Sequence, residues 1–143
     1  MIANQYHREY IGVVHGCPQK PTGTIDLPIA RCPESIILRE ISESGAPSLT
    51  HYTVKEYLHN SALVKFVLET GRTHQIRVHC KAIGHPLIGD TLYSDIQTTL
   101  IARQALHCNY VRFRHPITHK SIEISSPIPE DIVKLLENIS LSF

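Results

Sequence analysis

No stretch of eighteen apolar residues occurs anywhere in the 143-residue sequence, which argues against a membrane-spanning helix. The opening MIANQYHREY has no charged segment followed by an apolar core and no Arg- and Ser-rich transit pattern. The expectation is a cytosolic protein that does not engage a membrane. Four cysteines, Cys17, Cys32, Cys80 and Cys108, are scattered without a CxxC or a short Cys/His pair, so neither a zinc knuckle nor a disulfide framework is suggested. Free, buried thiols are expected instead. Histidine is plentiful at ten residues, yet no HExxH or comparable pair occurs, and abundance alone gives no metal site. No internal repeat or second domain is visible.

What is present is the composition of one globular domain, 42% hydrophobic and 19% charged. The formal net charge of +1 conceals an asymmetry. Residues 1–60 carry five Lys/Arg against six Asp/Glu, residues 121–143 one against four, and residues 61–120 eight against three. A basic middle segment of +5 is a solvated face in most proteins; concentrated around a motif, it points toward nucleic acid.

Alternation predicts strands over REYIGVVHG (8–16), ESIILREI (34–41), THYTVKEYL (50–58), SALVKFVLET (61–70), ALHCNYVRF (105–113) and KSIEIS (120–125). TIDLPIAR (24–31) reads as an edge segment broken at Pro28. The period then changes. HQIRVHCKAI (74–83) predicts a short helix with Thr73 as N-cap, Gly84 and Pro86 as stop, and Ile76, Cys80 and Ile83 on the buried face. A second helix follows Pro129, with Glu130 and Asp131 at its positive end and Ile132, Leu135, Leu136 and Ile139 inward. The fold class is therefore α+β, a mixed and mostly antiparallel sheet with few helices. The first strand starts close to Met1, so the core is expected to lack a partner at its N-terminal side.

Charged, amide and imidazole side chains crowd the strand-to-helix turn TGRTHQIRVH (70–79), followed by IGHPLIGDTLY (83–93). Backbone N–H groups there, with Arg72 and His74, could meet a phosphate, and Arg77 could reach a carboxylate or a base. Singly, each of these residues is as well explained by loop-ordering hydrogen bonds. Together the string resembles the RluA-type pseudouridine synthases. The resemblance runs forward through RQALHCNYVRFRHP (103–116) and back to REYIGVVHG. It implies that residues 1–143 are the C-terminal portion of a pseudouridine synthase catalytic domain. It also implies an isomerase that flips a uridine out of ribosomal or transfer RNA, breaks its glycosidic bond and rejoins the uracil through C5, without a cofactor or metal. By the resemblance, Tyr10 and Arg77 are the active-site residues, the phenol against the flipped base and the guanidinium beside the nucleophilic aspartate. Arg72, His74, Lys81, Arg103, Arg112 and Arg114 are the candidate RNA contacts.

The family's nucleophile lies in an R-L-D-x-x-T-S-G string, and this sequence contains none. Asp26 and Asp90 fall outside that motif; Asp90 is expected to order its own loop. The chain alone is accordingly expected to be inactive, with the absent front half as a candidate partner. Two alternatives stand beside this reading: a non-catalytic RNA-binding remnant, and a structural fragment that completes another chain.

Overall fold

The structure is a computed structural model and describes residues 6–141. The elements are β1 (Tyr6–His15), β2 (Thr22–Asp26), β3 (Ile29–Arg31), β4 (Arg39–Ile41), β5 (Leu49–Leu58), β6 (Ser61–Leu68), α1 (Gln75–Ala82), β7 (Leu106–Arg114), β8 (Ser121–Ser125) and α2 (Glu130–Leu141). Six strands form one sheet in the order β2-β5-β6-β1-β7-β8, and β3 and β4 make a separate pair. Every pairing is antiparallel. The α+β expectation holds, and none of the described helices is long and apolar enough to cross a membrane.

Strand periodicity gives the sheet two different faces. Tyr10, Gly12 and Val14 of β1 stand opposite Phe66, Val64 and Ala62 of β6. With Ile76, Cys80 and Leu87, these residues form the core beneath α1. On the other face Val13 packs with Ile88, Ile101 and Ala105 against Ile132, Leu135 and Ile139 of α2, as the spacing of that helix predicts. Gly12 lets the layers close, because a Cβ there would lie 2.9 Å from both Leu87 and Phe66 side-chain atoms.

Four local expectations are corrected. Within 34–41 only Arg39–Ile41 is strand; Ser35 Oγ accepts the Ile37 and Leu38 amides, a side-chain turn that displaces the ladder. Thr73 does not cap α1: His74 holds the cap position at φ 56, with no side-chain capping bond. Ile83 is 36% exposed, because the chain has already left the helix there and turns through Gly84 at φ +83. Among the four free cysteines only Cys80 is buried, and Cys17 is exposed.

Candidate active site

The turn before α1 is held by an amide. Gln75 is 2% exposed; its Oε1 accepts the Thr70 hydroxyl and the Arg72 backbone N–H, while its Nε2 donates to Leu49 O and Thr50 Oγ1. One turn on, the fully buried His79 donates from Nε2 to Leu27 O and accepts the Thr50 hydroxyl at Nδ1. Burial holds this imidazole below its ordinary pKa, hence neutral. Beside the apolar contacts of Ile76 and Cys80, α1 is therefore oriented on the sheet by a polar chain running Gln75, Thr50, His79.

Arg77 projects from the flank of α1. Its Nε and Nη2 donate to Asp90 Oδ2 and Oδ1 at 3.0 and 2.8 Å, a planar two-point pair. The Asp90 side chain is 0% exposed and that of Arg77 12%. Asp90 Oδ1 also accepts the Leu92 and Tyr93 amides, so it does order its loop, as expected, and holds Arg77 as well. The guanidinium lies 5.2 Å from the centroid of the Tyr93 ring. The Tyr93 hydroxyl in turn donates to His74 Nδ1 at 2.7 Å and accepts the Arg39 N–H at 3.0 Å. Burial, then the charges of Arg77 and Arg39, depress the pKa of His74. Neutral His74 thus orders its loop by accepting at Nδ1.

Tyr10 lies on the sheet face that α1 covers, packed against the Ile76–Phe66 core. Burial and the adjacent Cys108 raise its pKa, while Arg8 opposes them, so the phenol stays protonated at neutral pH. Arg8 shares that face two residues away; its carbon Cζ sits 5.0 Å from the Tyr6 ring centroid. Its Nη2 crowds the space over Gly71, where a Cβ would be 2.5 Å away. Arg8 thereby bridges β1 to the turn that begins α1. Its basic-x-Tyr spacing with Tyr10 was a legible signal, since strand residues i and i+2 share a face. Asp90 as the partner of Arg77 had no such signal, because thirteen residues separate them.

The anticipated RNA contacts divide. Arg72, anchored to Pro47 O through Nε, and Lys81 are exposed on the α1 side. Arg112 and Arg114 are not on that side. The bulge between Glu9 and Tyr10 sets Cys108 opposite Tyr10 but Tyr110 opposite Glu9 and Arg112 opposite His7, which turns both arginines to the sheet's other face. Arg103 is engaged within the fold: its fork grips Asp131 at 2.9 and 3.1 Å and its Nη1 donates to two carbonyls, so it clasps α2 to the loop before β7.

Residues 1–82 match the RNA pseudouridylate synthase family. The sequence is 45% identical over 130 residues to the uncharacterized RNA pseudouridine synthase YjbO of Bacillus subtilis, covering 91% of this chain and 46% of the relative. It is 39% identical over 145 residues to the ribosomal large subunit pseudouridine synthase D of Vibrio vulnificus, covering 92% and 44%. The human RNA pseudouridylate synthase domain containing 1 superposes with a TM-score of 0.74 at 31% identity, over 87% of this chain and 55% of that one. The sheet with α1 laid across its Tyr10 face is thus the architecture of a pseudouridylate synthase domain. The chain belongs to the RNA pseudouridine synthase family, in its RluA-type branch. It spans less than half the length of these two curated relatives, 46% and 44%.

Proposed function

We propose that this chain forms the tyrosine- and arginine-bearing part of a site that isomerises uridine to pseudouridine in ribosomal or transfer RNA, in the cytosol. The carrying observation is that Tyr10, a half-buried protonated phenol, lies on the sheet face covered by the helix that bears Arg77. A protonated tyrosine offers a stacking face and a hydroxyl to a flipped base. Arg77 uses Nε and Nη2 on Asp90, which leaves Nη1 outside that pair for a second acceptor. The nucleophilic carboxylate must come from outside this sequence, since no R-L-D-x-x-T-S-G string is present. The test is direct. Purified chain incubated with unmodified ribosomal or transfer RNA yields no pseudouridine by nucleoside mass spectrometry; product formation would overturn the requirement for a second segment.

A second reading is favoured by one observation. On the Tyr10 face, beyond α1, Ile124 is 55% exposed beside Phe113 and Ile122. An apolar strip of this kind suits a polypeptide that completes the domain, the front half being the candidate. Mixing the chain with a fragment carrying the aspartate motif should then give a stable complex that forms product.

A further inference from the structure

The sheet face opposite Tyr10 carries a groove of about 540 Å³ at the β1/β7 bulge, lined by His7, Glu9, Asn109, Tyr110, Arg112 and the start of the segment after β8. Bulges of this kind commonly re-aim side chains beside functional sites. The pairing skips Asn109. Its side-chain Oδ1 is buried and accepts no hydrogen bond among the described residues. Tyr110 is braced by His7, edge-on at 6.0 Å. His7 is itself tied to Glu9 at 2.8 Å, so the aromatic wall is ordered before anything binds. Arg112 and Arg114 follow on the same face of β7, about 7 Å apart along the strand. Both are exposed, and no salt bridge joins either to an acid among the described residues.

We propose that this groove is a second nucleotide-binding site, which holds one base of a single-stranded RNA segment against Tyr110 and its phosphates on Arg112 and Arg114. An aromatic wall followed by spaced cations fits a nucleotide strand, whose bases stack and whose phosphates repeat. The edge strand β8 lies two strands from β1, about 10 Å away. RNA engaged at the Tyr10 face therefore has a short path around that edge into the groove. The inference rests on the proposal that this chain handles RNA, and deepens it by assigning Arg112 and Arg114 to a site separate from the isomerisation centre.

The experiment is an NMR titration of isotopically labelled chain with a short oligouridylate, paired with fluorescence anisotropy of the same oligonucleotide. Expected are amide shifts at Asn109, Tyr110, Arg112 and Ser125. Tyr110→Ala should weaken binding about fivefold or more. Arg112→Ala, a surface change, should lower the salt slope by about 0.7. If the oligonucleotide binds but shifts only residues around Tyr10, Arg72 and Arg77, and Arg112→Ala binds like the parent chain, the second site is overturned while the RNA reading survives. Absence of any binding at low salt would overturn the RNA reading itself, and the groove assignment with it.

Discussion

Asp90 and Arg77 depend closely on each other. Neither charge has an alternative partner of equal geometry among the described residues: the carboxylate collects four N–H donors, two of them from the guanidinium. Removing one member strands the other in a water-poor setting. Asp90→Ala should therefore destabilise the fold by about 3–5 kcal/mol, read as a lower urea midpoint. Replacing both residues together should cost less than the sum of the single changes. Histidine supplies a pH dependence of definite sign. His15, His74 and His79 all have folded pKa values pushed below 6.5, with burial the largest cause in each. The unfolded chain then binds more protons as pH drops, so their contribution is complete above 6.5 and is lost progressively as pH falls below it toward the folded values. Urea midpoints taken on either side of pH 6.5 should decrease on the acid side, and His79→Gln should flatten that decrease.

The elements show which local sequences tolerate change. The Gly89 turn has φ +82, and a Cβ there would lie 2.1 Å from Arg103 O. Gly89→Ala should fail to give a folded protein, whereas Gly84→Ala, with open space around the same left-handed geometry, should cost only the backbone penalty of about 1 kcal/mol. Circular dichroism and thermal melts of the two variants distinguish these outcomes. The attachment of α2 is carried by its apolar face. Leu135 is fully buried, so Leu135→Ala should cost about 2–5 kcal/mol. The Arg103–Asp131 clasp is partly exposed, with side chains 39% and 44% accessible, and Asp131→Asn should cost no more than about 1 kcal/mol. Chemical denaturation of both variants compares the two contributions.

Across the whole molecule, the basic residues of the 61–120 segment do not make one patch. The fold sends Arg72 and Lys81 to one side and Arg112 and Arg114 to the other, while Arg77 and Arg103 neutralise acids. Binding to RNA driven by phosphate contacts should weaken steeply with ionic strength, each lost contact lowering the logarithmic slope by about 0.7 on a single strand. Anisotropy titrations over a salt series measure that slope, and a flat response would count against RNA recognition by this chain.

Most strand positions and both helices were legible in the residues, because the alternation along β6 and the Ile132–Leu135–Ile139 spacing of α2 are local patterns. The motif that carries the family likeness was legible for the same reason, as an unbroken string of residues. Three features depended on distant chain segments meeting. Gln75 replaced Thr73 as the organiser of the helix start because β5 supplies its acceptors; Asp90 became the partner of Arg77 because the Gly89 turn folds it under α1; and one unpaired residue, Asn109, decided which face Arg112 and Arg114 occupy. A side chain's type fixes what it can bind, but a bulge or a turn elsewhere decides what it meets, and that balance is struck only when the sheet has closed.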